Sequence, residues 1–471
     1  MGSKERFYVD VMALNSEVTG SCNLVIVKYP NGDKTRFIVD CGLFQESDYS
    51  QYNESFPFNA ENIEFCIITH NHVDHTGRLP LLIKQGFNGR VYTSKATSVL
   101  LPLALEDSYK VLKDVAKRNN SKQLYSEADV SETLKRIKEI EFSESINVDP
   151  NIKITMFKNG HLIGAALVLI QIRYTGYENI NLLFTGDYNS KNVFFDVPKL
   201  PKEVQELTLT VVQESTYGTT NSDEVVECFE KNVLECLKKG GTVVNMVFSL
   251  GRFQEILFKL KKMQDEGSLD TSIPIYADGT LGIKYTALFS KEELDIRQDA
   301  LDFLPQNLQY VTKENRAEVL ESEECKIVVT TSGMGTYGPA PQYIIKYIKQ
   351  EKSLIQFAGF TTEGTLGSRL KSAKNGDVVS VGGMLATKRA KVEYTTEFSA
   401  HAKADEMIKF LQQFENLKFV MVNHGESQVK EEFAKRIVKE VKTNNVGILG
   451  RQYLYRVSPY GFVKTMSTKF E

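Results

Sequence analysis

The 471-residue sequence holds no run of about 18 apolar residues, so a membrane-crossing helix is excluded. Its first six residues, Met1-Gly2-Ser3-Lys4-Glu5-Arg6, contain no apolar stretch able to act as a secretory signal, and cytoplasmic residence is the expectation that follows. No Cys-x-x-Cys occurs among the six scattered cysteines (Cys22, Cys41, Cys66, Cys228, Cys236, Cys325). Several sit inside apolar runs such as Phe65-Cys66-Ile67-Ile68, and they read as buried free thiols. Net positive charge is lacking too. At −3 the chain carries no overall basic field, so affinity for a polyanion must come from a local patch or from bound metal. Internal repeats and low-complexity tracts are absent. What remains is a globular mixture, 42% apolar and 25% charged, long enough for two or three domains.

The pattern changes twice along the chain. Leu24–Tyr29 and Thr35–Val39 are apolar runs around Pro30-Asn31-Gly32, a hairpin signal. Ala166–Tyr174 and Asn181–Thr185 flank another turn, with a helix expected between Thr97 and Arg118 and a polar loop or exposed helix over Asn119–Glu132. From about Ser215 strands and helices alternate. Ser222 is placed to cap a helix carrying Val225, Phe229, Val233 and Leu237 on one face. Short apolar runs at Thr242–Phe248, Ile273–Tyr276, Lys326–Thr331 and Ser353–Ala358 then argue for a sheet covered on both faces. Near Lys391 alternation returns (Val392, Tyr394, Thr396, Phe398), followed by helices, a strand at Lys418–Val422 and a terminal hairpin. One domain interrupted by another is the expected layout: residues 1–215 and 394–471 form the first, 216–393 the insertion.

The densest chemical signal is His70-Asn71-His72-Val73-Asp74-His75, directly after the apolar strand Phe65–Thr69. Imidazole and carboxylate are the ligands that suit zinc and similar ions. Only six histidines exist, and three lie in that motif; the others, His161, His401 and His424, each sit beside small residues after an apolar or alternating run. Asp187 follows the run Leu182–Gly186, and Glu214 closes Leu209–Gln213. A carboxylate ending an apolar strand is costly unless it meets water, metal or a hydrogen-bond donor. Several strands that each deliver one polar group at the tip describe a shared active-site edge.

Taken together these residues resemble the metallo-β-lactamase superfamily and its β-CASP nuclease branch, over nearly the whole chain. Asp40, in Phe37-Ile38-Val39-Asp40-Cys41-Gly42, looks like the family's first motif, His70–His75 the second, His161 the third and Asp187 the fourth. Glu214, His401 and His424 resemble the three motifs particular to β-CASP proteins. Gly251–Glu255, Thr331–Met334 and Glu363–Gly367 are further family-like stretches. The nearest resemblance is to prokaryotic homologues of the nuclease subunit of the cleavage-and-polyadenylation specificity factor. The sequence departs from the family at Asn245-Met246-Val247, where a proline usually precedes the phenylalanine, and at Lys403, where an aspartate is usual.

The resemblance implies an α/β fold, an αββα metallo-β-lactamase sandwich with an inserted α/β (β-CASP) domain. It implies a two-zinc ribonuclease (manganese or iron being the alternative metals) that cuts RNA internally, with 5′-exonuclease trimming as a further mode. One metal would be held by His70, His72, His161 and Asp187, the other by Asp74, His75, Asp187 and His424, with Asp187 bridging. Asp40 would orient a ligand histidine from behind. Catalytic roles fall to Asp74, to His401 as general acid for the departing ribose oxygen, and to Glu214 as the group orienting it. Backbone N–H groups around Ser332, Gly333, Ser399 and Ala400 would meet substrate phosphates. Arg369 and Lys388, within or near the basic run Lys388-Arg389-Ala390-Lys391, would steer RNA. Homodimers are common in the family, and no membrane partner is expected. No extension precedes the nuclease core in this sequence, so RNA capture by an appended domain is not expected. The competing readings are a DNA-directed β-CASP nuclease, disfavoured by His424, and a small-molecule hydrolase, which would need neither the insertion nor the Glu214/His401 pair.

Overall fold

The computed structural model describes residues 7–466 apart from 16, 46, 360, 362, 363, 396, 442 and 452. Met1–Arg6, Glu363 and Thr396, all singled out above, lie outside the described residues. The chain folds into two compact units, one of Met1–Asn192, Asp196–Ser222 and His401–Glu471, the other of Val193–Phe195 and Asp223–Ala400.

The first unit is built on two sheets. One runs, in spatial order, Gly461–Met466, Tyr453–Ser458, Tyr8–Ala13, Asn23–Lys28, Lys34–Val39, Phe65–Ile67, Arg90–Ser94, Ile137–Ile140. The other runs Val446–Ile448, Asn416–Asn423, Thr208–Glu214, Ile180–Phe184, Ala166–Ile172, Ile152–Lys158, Ser145–Asp149. Side chains alternate between faces, as strand geometry requires. Phe37 and Val39 of the first sheet join Ile154, Ile170, Leu182 and Phe184 of the second in one core between the sheets. Ile38 points the other way, toward Leu79, Leu82, Leu101 and Leu105 of two helices, Leu79–Lys84 and Lys95–Arg118. On the far side Leu183 meets Met407, Leu411, Phe433 and Ile437 of the helices Ala404–Gln412 and Ser427–Glu440. The result is an αββα sandwich.

This topology lines up strand ends. Thr208–Glu214 pairs in parallel with Ile180–Phe184 and with Asn416–Asn423. Ile152–Lys158 points the same way, since it and Ile180–Phe184 are both antiparallel to Ala166–Ile172. In the other sheet Lys34–Val39 is parallel to Phe65–Ile67. The C-terminal ends of these strands are where Asp40, His70, His161, Asp187, Glu214 and His424 follow.

The second unit carries a six-stranded, wholly parallel sheet in the order Leu308–Tyr310, Ile275–Asp278, Lys326–Thr330, Thr242–Met246, Leu354–Ala358, Lys391–Thr395. Two expectations are corrected here. The alternating run from Lys391 does not mark a return to the first domain: Lys391–Thr395 is the edge strand of this sheet, and an edge strand with one covered face alternates for that reason. The unit accordingly runs to Ala400 and begins at Asp223, rather than spanning 216–393. Nor does Ser222 cap the next helix. That helix is Phe229–Lys238, leaving Val225 outside it, and its first N–H groups, those of Cys228 and Phe229, donate to Glu397 Oε1 at 3.0 and 2.7 Å. Ser222 instead donates through its N–H and hydroxyl to Asp405. Over Asn119–Glu132 the second half is helical: Glu127–Lys135 starts from a Ser126/Asp129 capping box. Cys22, Cys41, Cys66 and Cys236 are buried and unbridged, while Cys228 and Cys325 are half-buried and unbridged. Among the described residues no helix is long and apolar enough to cross a membrane.

Candidate metal centre and active site

The segment His70–His75 leaves the strand Phe65–Ile67 and turns at once into the one-turn helix Val73–Thr76, which places His70 and His72 in one donor group and Asp74 and His75 in a second. Close packing fixes the turn. Gly42 lies directly against the Asp74 carbonyl, where any side chain would overlap it, and the Cys41 N–H donates to the His75 carbonyl at 2.7 Å. Asp40 and His424 both hold left-handed backbone (φ 64° and 48°), a conformation that costs a non-glycine residue about 1 kcal/mol or more and tends to collect at functional sites.

Two donor groups result. His70, His72, His161 and Asp187 form one; Asp74, His75, Asp187 and His424 form the other; within each, one ligand atom per residue lies within 4.8 Å of all the rest. The memberships are those named from the sequence. Asp187 belongs to both and divides its oxygens. Oδ1 lies 3.2 Å from His424 Nε2 and 3.3 Å from His75 Nε2, while Oδ2 lies 3.5 Å from Nε2 of both His70 and His161.

The donor set fits cations. His75 Nε2 and His424 Nε2 face each other at 3.2 Å, and His72 Nδ1 faces His161 Nε2 at 3.1 Å. Imidazole lone pairs brought this close need a proton or a metal between them. His70 Nε2 is buried with no hydrogen-bond partner among the described residues, which is a costly state for a polar atom unless it has a ligand to bind. Electrostatics point the same way. Burial lowers the pKa of His70 well below the ordinary value, helped by neighbouring His75, and lowers His72 to about 4. Burial opposes protonation of His75 and His424 as well, yet the carboxylates around them outweigh it and raise both, His75 well above its usual range. Asp187 resists the upward push of burial because His424, His75 and His70 hold it ionised, well below the usual carboxylate range. Buried neutral imidazoles beside an ionised carboxylate are a donor set that could hold metal.

The outer contacts set each ring. Asp40 Oδ2 accepts from His75 Nδ1 at 2.8 Å, which turns Nε2 toward the second group. Asp40 Oδ1 takes the Thr69 N–H at 2.9 Å, and the Thr69 hydroxyl, 3.0 Å from the same carboxylate, lies 3.1 Å from His70 Nδ1. Thr216 Oγ1 stands 3.1 Å from His424 Nδ1. Asn159 ties two strand ends together: its amide donates to the carbonyls of Thr185 and Asp187, and its Oδ1 accepts the His161 N–H at 3.0 Å. Thr69, Asn159 and Thr216 escape sequence reasoning, because a threonine or asparagine beside a ligand is legible only once its partner's strand is known to be adjacent.

His401 belongs to neither donor group. Its Nδ1 lies 2.9 and 3.1 Å from the two oxygens of Glu214, and its Nε2 is 3.9 Å from Asp187 Oδ2. Glu214 is itself fixed by the N–H groups of Tyr188 (2.7 Å) and Thr216 (3.1 Å). Lys403, the departure noted above, is buried, and its ammonium lies 3.5 Å from the ring centre of Tyr217, whose ring is 6.1 Å from that of His401.

The residues expected to touch substrate lie in the second unit. Ser332 and Gly333 occupy the loop after Lys326–Thr330, where the Ser332 N–H donates to the Tyr337 carbonyl at 3.3 Å. Lys388 is likewise occupied: its ammonium caps the end of the helix Leu366–Ser372 through the carbonyls of Leu370 and Ala373. Arg369 is exposed, with one donor on the Gly364 carbonyl at 3.1 Å. Ser399 and Ala400 are half-buried and immediately precede His401.

Known proteins resemble this arrangement. The description "Metallo-beta-lactamase superfamily domain" matches residues 31–214, "Beta-Casp domain" residues 253–370, and "Zn-dependent metallo-hydrolase RNA specificity domain" residues 386–447. Transcription termination factor FttA of Methanocaldococcus jannaschii is 29% identical over 89% of this chain and 67% of its own length. Ribonuclease TTHA0252 of Thermus thermophilus is 29% identical over 88% of this chain and 91% of its own. Integrator complex subunit 11 of Gallus gallus is 26% identical over 93% and 72%. The chain spans between 64% and 70% of the length of three termination factors of this name.

Proposed function

We propose, for a chain that belongs to the metallo-β-lactamase superfamily and to its β-CASP branch, that it is a two-zinc ribonuclease hydrolysing RNA phosphodiester bonds. The observation that carries this reading is a pair of four-residue donor groups sharing Asp187, with a histidine–glutamate pair left over beside them. His70, His72, His161 and Asp187 would hold one ion, and Asp74, His75, Asp187 and His424 the other. Such ions, when bound, supply a nucleophile from water at neutral pH and neutralise the charge of an in-line displacement at phosphorus.

The chain's own residues do the rest. Asp40 keeps the His75 proton on Nδ1, and the hydroxyls of Thr69 and Thr216 stand at the Nδ1 atoms of His70 and His424, so three rings present Nε2 inward. Asp74 adds its carboxylate to the second group, and this is the catalytic role assigned to it. Water loses a proton to solvent as it attacks phosphorus, the bond from phosphorus to the ribose oxygen breaks, and His401 Nε2 gives its proton to that oxygen. Glu214 holds the Nδ1–H of His401 throughout and so keeps Nε2 turned toward the departing oxygen.

In the second unit, neighbouring parallel strands Thr242–Met246 and Lys326–Thr330 send their connections in opposite directions across the sheet. Ligands of open α/β sheets bind outside the strand ends at such a switch point. Gly333, on the loop there, remains the candidate phosphate contact, with Arg369, Ser399 and Ala400 as further RNA contacts. Cytoplasmic action as a homodimer goes with this reading, as do internal cutting and 5′ trimming.

End-labelled RNA incubated with and without chelator is the test. Chelation is expected to stop cutting, and added zinc to restore it ahead of manganese or iron. Fragment lengths separate internal cutting from trimming. Equal cutting of a DNA strand of the same sequence would favour the DNA-directed reading. Cutting that survives chelation and metal analysis showing no metal would overturn the mechanism.

A further inference from the structure

One open basic cavity in the first unit has no part in the chemistry above. It measures about 270 Å³ and is lined by Lys430, Arg451, Ser427, Leu449, Gly450 and Tyr453, with the carboxylate of Glu431 at its exposed rim. Lys430 is 3% exposed and its ammonium approaches the Leu449 carbonyl at 3.4 Å. The Arg451 guanidinium is stacked 3.6 Å over Tyr52 and donates to the Leu14 carbonyl at 2.6 Å, which fixes its plane in advance of any ligand. Burial is the main influence on both cations and lowers the pKa of each, with Glu17 the opposing charge on Lys430. Glu17 is itself held by the Ser427 N–H and hydroxyl, at 3.0 and 2.6 Å. Two cations placed in a cavity, rather than extended into solvent, are stabilised by an anion that enters it. The first turn of the 14-residue helix Ser427–Glu440 adds its dipole in the same sense.

The position identifies the anion. Ser427 is three residues beyond His424, and Cα atoms are 3.8 Å apart, so the two Cα atoms lie within about 11 Å of each other. His424 belongs to the second donor group, so only three residues of chain separate the cavity's rim from that group. Ser427 and Lys430 also fall in the stretch matched by the RNA specificity domain.

We propose that this cavity takes a backbone phosphate of the bound RNA, outside the phosphodiester being cut; the proposal rests on the RNA-cleaving reading above. Lys430 and Arg451 are then affinity determinants with no part in bond breaking.

Steady-state kinetics on a long single-stranded RNA and on bis(p-nitrophenyl) phosphate, which is too short to reach the cavity, tests it. Lys430→Gln is expected to raise KM for RNA about tenfold with kcat unchanged, and to flatten the dependence of log KM on log salt by about one charge. On the small diester it should leave kcat/KM unaltered, and Lys430→Arg should behave as wild type on both. Glu431→Gln, at the exposed rim, is expected to lower KM for RNA, so the idea stays testable if Lys430→Gln fails to fold. Unchanged KM and salt slope in Lys430→Gln and Glu431→Gln, or an equal loss on both substrates, would overturn it. A wild-type protein that cuts no RNA would instead sink the reading it rests on.

Discussion

Two aspartates end apolar strands in this molecule, one in each unit, and their surroundings differ in kind. Asp278 closes Ile275–Asp278 and is 1% exposed; Arg316 grips it through two hydrogen bonds of 2.6 and 2.9 Å, and the Tyr343 hydroxyl donates a third at 2.8 Å. Asp187 follows Ile180–Phe184, is 2% exposed, and faces four imidazole Nε2 atoms between 3.2 and 3.5 Å away. The first carries its own permanent cation, supplied by the fold alone. The second is surrounded by groups that become cationic only by taking protons, and so leaves room for metal. A buried acid thus marks a reactive centre when its partners are titratable rather than fixed.

The largest effect that would sharpen this contrast is expected from Asp187→Ala. It should abolish RNA cutting and most of the bound metal by elemental analysis, with the fold retained by circular dichroism. His401→Ala is expected to lower kcat on RNA by about 10²–10⁴-fold while metal content stays constant, and by less on a diester with a good leaving group. Equal losses on the two substrates would remove His401 from the acid role. Asp278→Asn should do the reverse of Asp187→Ala: metal content unchanged, but stability lower by about 3–5 kcal/mol in urea unfolding, since Arg316 loses its counter-charge. If Asp278→Asn cost metal instead, the contrast between the two acids would fail. Asp40→Asn, which disturbs only the proton placement on His75, is expected to weaken metal affinity about 10–100-fold, read by chelator competition. Glu397→Gln, which weakens the cap on Phe229–Lys238, should cost about 1 kcal/mol and leave activity untouched.

What could be read from the sequence follows the same division. His70–His75, Asp187, Glu214 and His424 were legible because a polar group directly after an apolar strand is a local signal. The sandwich was legible only through the family resemblance that those residues carry. Contacts between distant segments were not legible. Glu397 caps a helix that begins 168 residues earlier. Arg316 neutralises an acid 38 residues before it. Lys388 looked like a free basic residue until its helix-capping carbonyls were seen. The strand Lys391–Thr395 was misplaced because alternation reports one covered face without saying which sheet supplies the cover.

Sheet order also carries a consequence for how the enzyme is made. Thr208–Glu214 and Asn416–Asn423 are hydrogen-bonded neighbours, and the N-terminal strand Tyr8–Ala13 is sandwiched between Asn23–Lys28 and the late strand Tyr453–Ser458. A ribosome therefore finishes the whole inserted unit before it releases His401, His424 and the strands that close both sheets. Until then the growing polypeptide holds His70, His72, His161 and Asp187 but lacks His401 and His424, so one candidate donor group is complete along the chain before the other.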